Sequence, residues 1–159
     1  MSDFSITIDI GKASDALSRA PGAIERYVEP KLSRGAKEIE AEAMRRAPKA
    51  MSGLWTSFHN ERLGPLHYRV SQGRNYGRMV EEGTRPHFPN PDNLQPWVEL
   101  VLGVRGKDAR DKAFLIARAI ARRGTRAQPY MGPAAQNKAA RVRDLVLAGV
   151  DEGLREVYA

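Results

Sequence analysis

The chain of 159 residues contains no cysteine. That removes disulfides, thiol nucleophiles, iron–sulfur clusters and cysteine-ligated zinc in one step. No stretch approaches eighteen consecutive apolar residues, so no membrane-spanning helix is expected. The opening segment MSDFSITIDIG carries an acid at Asp3 and alternating polarity. It reads as neither a secretory nor a transit peptide, and the chain is expected to stay in the compartment where it is made. Histidine is confined to His59, His67 and His87, without close metal-ligand spacing. His59 and His67 flank a proposed hairpin loop, where they face solvent or each other. The Gly-x-Ser-x-Gly nucleophile elbow is missing. Gly11-Lys12-Ala13-Ser14 superficially matches the end of a phosphate-binding P-loop, but Ile6 stands where that loop needs glycine and Ala13 where it needs Ser or Thr. Glu81 and Glu82 are adjacent, so on a strand they point to opposite faces and form no acid–base pair. No converging set of acids suggests a metal-dependent nuclease. These absences argue against an enzyme, and neither cofactor nor metal is expected.

What the chain does have is arginine. The formal net charge is +7, and 19 of the 26 basic residues are arginine. Arginine keeps its charge, forks onto carboxylates and phosphates, and is favoured at interfaces. Residues 105–126 concentrate Arg105, Lys107, Arg110, Lys112, Arg118, Arg122, Arg123 and Arg126 against Asp108 and Asp111. Such a run faces nucleic acid, lies solvated on a helix, or pairs with acids on another subunit. It has no pattern of interleaved aromatic residues to stack on bases, which weighs toward the last two.

Periodicity supplies the fold class. FSITIDI, 4–10, alternates as a half-buried strand. From Pro21 to about Arg46, Ile24, Val28, Leu32, Ala36, Ile39 and Ala43 recur at three- and four-residue steps, a helical stripe. Pro21 suits a first turn, and Pro30 predicts a kink or a split. Residues 52–73 read as a turn leading into a β-hairpin with Gly64-Pro65 in its loop. NYGRMVEEG, 75–83, is compatible with a strand or a helical turn. A proline-rich loop occupies 84–93. Helices are predicted over 94–103, with Pro96 near the start, over 108–124, and from about Pro133 to Val157. The size is that of one domain. The expected architecture is a single α+β domain over 1–159, with a small antiparallel or mixed sheet packed against a long N-terminal and a long C-terminal helix.

The triplet Gly-Thr-Arg occurs twice, at 83–85 and 124–126. Gly83 and Gly124 each fall where an element ends and suit a turn with positive φ. Thr84 and Thr125 can hydrogen-bond the turn backbone. Arg85 and Arg126 then project from ordered turns and reach carboxylates such as Glu81 or Glu82, within the subunit or across an interface.

Three segments resemble the tail-completion or head–tail joining proteins of tailed bacteriophages. The first is APKAMSGLWTSF, 47–58, where Ala47, Pro48, Gly53, Leu54, Ser57 and Phe58 fit the family pattern and Ser52 replaces its usual threonine. The second is YGRMVEEGT, 76–84, where Tyr76, Val80, Glu81, Gly83 and Thr84 match. The third is AQPYMGPA, 127–134, ahead of a long helix. The segment 85–123 is longer than is typical of the family, and Glu82 stands where the pattern often has an aromatic residue.

The resemblance implies a structural virion protein, assembled in the host bacterial cytoplasm, that forms a ring, commonly sixfold, at the head–tail junction. Its partners would be further copies of itself, the head connector or adaptor, and the tail terminator or tail-tube proteins, with double-stranded DNA crossing the channel transiently. A tail terminator ring is the nearest alternative, and a small basic DNA-binding protein the alternative of another class. Interface candidates are Trp55, Glu81, Glu82, Arg85, His87, Phe88, Arg118, Arg122, Arg123 and Arg126. The residues expected to build turns are Gly53, Gly83, Thr84, Gly124, Thr125 and Pro129.

Overall fold

The computed structural model describes residues 13–49 and 52–159; the strand expected over 4–10 lies outside them. Helix α1 runs from Ala13 to Arg46 and helix α6 from Met131 to Tyr158. Between them come α2 (Ser52–Trp55), strands β1 (Phe58–Gly64) and β2 (His67–Gln72), α3 (Gly77–Glu82), α4 (Pro91–Leu102) and α5 (Gly106–Arg123). The architecture is α+β, dominated by helix, with long helices at either end and one two-stranded antiparallel sheet.

The α1–α6 pair is antiparallel and built on small residues. Ala20, Ala23, Val28, Ala36 and Ala43 are buried on α1. Gly149 and Gly153 are buried on α6, one turn apart and so on one face. A Cβ at 149 would stand 2.9 Å from Val28 Cα, and one at 153 would stand 2.8 Å from Ile24 Cα. Glycine at these positions lets the two backbones approach to where a methyl group has no room. Farther along, Gly35 faces Val142. The rims are tied by ions: Arg26 to Glu156 at 2.9 Å, Lys31 to Glu152 at 2.8 Å and Arg141 to Glu38 at 3.7 Å.

This packing explains why the prolines do not act as their local rule suggests. Pro21 and Pro30 both lie inside one continuous α1, so Pro21 is not in the first turn and Pro30 does not split the helix. Both are exposed, so the carbonyl each leaves without a donor is on the side reached by water. The opposite face is held by α6 on both sides of Pro30. Similarly, α4 begins at Pro91 rather than near 94: Asn90 caps it by accepting from Asp92 N at 2.9 Å, and Pro91 takes the first turn. Pro96 is therefore interior. The ambiguous segment 75–83 becomes the short helix α3.

The turn end of the hairpin is held on α1 by one carboxylate. Glu29 accepts from Arg62, from Leu66 N at 2.8 Å and from the Tyr68 hydroxyl at 2.9 Å. Leu66 sits in the hairpin turn at φ 52°, unusual for a side-chain-bearing residue, and Glu29 holds its amide there. Next to it the ladder is irregular between Arg62 and Gly64. Asn60 donates to Glu40 farther along α1.

Helices α4 and α5 pack on each other rather than on the body. Val98, Ala109 and Ala113 form their buried centre, with Leu94, Trp97, Val104 and Ile116 around it. They make a helical arm that leaves the body after Thr84 and rejoins it at Thr125.

Two expectations concern the contacts of α1. Gly153→Ala should lower stability by about 1–3 kcal/mol through overpacking. Gly22→Ala, on the same pair but with nothing within 4 Å of its Cβ, should raise it by about 0.5–1 kcal/mol through helix propensity; thermal denaturation reads both. The second concerns pH. Arg62, then the Leu66 amide, hold the Glu29 carboxyl below its ordinary value of 4.5 against an opposing push from desolvation, with Tyr68 assisting. A carboxyl lowered on folding stabilises above its unfolded value and loses that contribution as pH falls through its folded one. Glu29→Gln should therefore melt lower than the unmodified chain at neutral pH, with the gap closing below about pH 4.5; a gap that is flat with pH would contradict this.

Candidate functional site

The body's second centre lies where α2, β1, α3 and the start of α6 meet the C-terminal part of α1. Ala43, Ala47, Leu54, Phe58, Tyr130 and Ala134 are buried together, with Met44, Tyr76, Val80 and Met131 packed around them. The Phe58 and Tyr130 rings meet edge to face, centroids 5.6 Å apart. Pro129 fixes the backbone just before Tyr130. The Tyr130 hydroxyl donates to Gly77 O at 3.0 Å. Burial pushes this phenol up to about 12, with Glu81 and Tyr76 adding to the shift, so it stays protonated as the donor.

Helix α6 has no side-chain cap of its own. Its first amides are met by Glu81, from α3. One carboxylate oxygen accepts from Tyr130 N at 2.6 Å and Met131 N at 2.9 Å, and the other accepts from Gly132 N at 2.9 Å. A carboxylate at this end also faces the positive pole of a 28-residue helix. Glu81 is thus committed inside the subunit. Its role within the subunit, as acceptor for three α6 amides, is one that its expected place at an interface did not include. Nor do Glu81 and Glu82 lie on a strand: Glu82, exposed on the same helix, pairs with Arg78 at 3.0 Å. Neither glutamate takes Arg85 or Arg126 as an ion-pair partner, so the intrasubunit pairing expected for those arginines does not form.

The two Gly-Thr-Arg triplets pair with each other. Thr84 N donates to Thr125 O at 3.1 Å and Thr125 N donates to Thr84 O at 3.2 Å, an isolated antiparallel bridge. The two hydroxyls lie 3.0 Å apart, and Thr84 Oγ1 also accepts from Thr125 N at 3.1 Å. The threonines therefore bond across the bridge, not within their own turns. Gly83 (φ 73°, ψ −177°) and Gly124 (φ 71°, ψ −160°) end α3 and α5 in a region that only glycine populates freely. A Cβ on Gly83 would stand 2.5 Å from Thr125 O, and one on Gly124 would fall on Thr84 O. Gln128 N adds a bond to Val80 O at 2.8 Å. Residues 80–84 and 125–132 form one junction, from which the α4–α5 arm departs.

The remaining candidates lie on the surface. Arg85, His87, Phe88, Arg118, Arg122, Arg123 and Arg126 are all exposed. Phe88 leans on Phe114 of α5, centroids 6.1 Å apart, and His87 Nδ1 is 2.9 Å from Arg85 O. Trp55 is about half exposed in a shallow groove with Glu38, Ala41, Met44, Arg45 and Lys138, remote in sequence from the arm. Gly53 O accepts from Arg74 Nε at 2.9 Å. His59 is bonded through both ring nitrogens, to Ser57 O and the Ser71 hydroxyl, while His67 is exposed. Among the described residues no group of three or more histidine or acidic side chains is placed to hold a metal ion, and no helix is long and apolar enough to cross a membrane. Comparison with protein-family models, with curated proteins and with solved structures finds no match to this chain.

Sequence reasoning missed the Glu81 cap and the pairing of the triplets. The repeat of Gly-Thr-Arg was the available signal for the second; the first had none, since capping residue and helix lie about 50 positions apart in the chain. Glu81→Ala should destabilise the fold by about 2–3 kcal/mol, because three amides lose a charged acceptor, and Glu81→Gln by about 1 kcal/mol, because one oxygen remains. Equal melting temperatures for Glu81→Ala, Glu81→Gln and the unmodified chain would count against the cap.

Proposed function

We propose that the chain is a structural component of a tailed-phage neck, acting by assembly into a ring that joins the head connector to the tail tube and lets DNA pass. The observation that supports this reading is the convergence of the three family-like segments. Leu54 and Phe58 from the first, Val80 and Glu81 from the second, and Tyr130 and Met131 from the third meet in one buried, hydrogen-bonded junction. Short accidental matches have no physical reason to meet; residues that jointly build a core do. The reading puts its protein interfaces on what the junction leaves outside, Trp55 and the loop carrying His87 and Phe88. A tail terminator ring stays the nearest alternative.

Head-to-tail contacts between identical subunits close into rings when the rotation allows. Negative-stain electron microscopy of the full chain, concentrated or mixed with the head connector encoded in the same genome, should show closed rings with a central channel. A chain that stays monomeric at every concentration, with and without that connector, would overturn the proposal. Reading frames on either side should encode portal, capsid or tail-tube proteins.

A further inference from the structure

The chain distributes its ion pairs unevenly. Most basic side chains of the α1–α6 body and hairpin have acidic partners: Arg62 pairs with Glu29, Arg46 with Glu42 at 2.7 Å, and Arg155 with Asp151 at 2.7 Å, besides those on the helix rims. In residues 85–126, which hold nine of the 26 basic residues and only four of the 19 acids, none is so paired among the described residues. Five of the nine crowd the base of the arm. Arg85 and Arg126 directly follow the bridged Thr84 and Thr125. Arg122 and Arg123 end α5, and Arg118 lies one turn before Arg122 on the same face, about 6 Å along the axis. All five are exposed.

Like charges at one end of the arm repel, and among the described residues none of the five has an ion-pair partner. We infer that this arginine cluster at the base of the arm is a binding surface for the phosphate backbone of duplex DNA. Guanidinium forks match phosphate oxygens, and neutralising several phosphates gains from counterion release. A second copy of the chain fits less well, because most carboxylates of its body are already paired. Among the described residues of the body, Glu29, Glu38, Glu42, Glu152 and Glu156 are in ion pairs and Glu81 serves the α6 amides. The described acids outside ion pairs and the α6 cap, Glu25, Glu40, Asp92, Glu99, Asp108 and Asp111, are scattered over α1, α4 and α5, whereas the DNA backbone brings a continuous line of charge. The contact reads backbone and not sequence, since a bridge-anchored cluster of arginines without a helix aimed into a groove carries no base-edge code.

The inference stands apart from the neck reading. A ring-forming chain that ignores DNA overturns this inference and leaves that reading intact; a DNA-binding chain that never assembles does the reverse. The test is fluorescence anisotropy of the full chain with a labelled duplex of arbitrary sequence, over about 50–300 mM salt. It compares R85A/R122A/R123A with K37A/K49A/K138A, which removes the same charge from lysines that make no ion pair elsewhere on the body. The unmodified chain should bind with log affinity falling linearly in log salt. The arginine triple should lose about tenfold or more in affinity at the low end of that range and flatten the slope by about 2–3. The lysine triple should change both much less, and thermal melts should agree because none of these side chains pairs internally. Absence of salt-dependent binding, or equal losses in the two triples, would overturn the inference. So would an arginine triple that keeps DNA affinity but loses self-association, which would assign the cluster to a subunit seam.

Discussion

A single carboxylate organises the body. The start of α6 presents amides with no intrahelical acceptor and no capping side chain of its own, and Glu81 takes three of them. The consequence is positional as much as energetic. Because the acceptor belongs to α3, the register of α6 is fixed relative to α3 before any apolar contact is counted. Tyr130 repeats the tie in the opposite direction, donating its hydroxyl to the first residue of α3. Two charged or polar contacts of opposite sense, with Phe58 and Leu54 packed beneath, leave α6 one place to begin. From there its glycine face determines how closely it can run along α1.

The junction continues outward without a break. Val80 O meets Gln128 N, Glu81 meets residues 130–132, and Thr84 meets Thr125. The two glycines adopt nearly the same unusual backbone, so the bridge has an approximate local two-fold symmetry, one triplet entering the arm and one leaving. This is why the same three residues recur: each copy solves the same steric problem from its own side.

Much of the helical architecture was legible in the sequence, because long amphipathic stripes report on burial directly. α5 ends at Gly124 and carries Arg122 and Arg123 in its last turn, as the dipole and stop signals require. The hairpin followed from Gly64-Pro65 and the alternation of Leu66, Tyr68 and Val70. Proline misled where packing outweighed it: Pro30 sits in an unbroken helix because α6 grips the other face. Pro96 misplaced the start of α4 because Asn90 and Pro91, three residues earlier, already made a complete cap. The buried face of α6 includes Gly149 and Gly153, residues that a hydrophobic stripe ignores. The interface candidates divided for a similar reason. An exposed arginine and a capping glutamate look alike in a string of letters, and only the distance between Glu81 and the α6 amides separates the structural charge from the free ones.

That separation bears on how charge is used across the chain. Acids in the body are consumed holding it together: Glu29 on the hairpin, Glu81 on α6, Glu152 and Glu156 on the α1 rim. Exposed pairs of this kind contribute little each, but they occupy the carboxylates. Residues 85–126 form no ion pair with those acids among the described residues: the Thr84–Thr125 bridge carries the chain out of the body, and α4 packs chiefly on α5. The steric requirement for glycine at the bridge and the surplus of unpaired arginine around it therefore have one cause. An arm built to stand clear of its own body gives up the counter-charges that body could have supplied, and its cations remain available to something else.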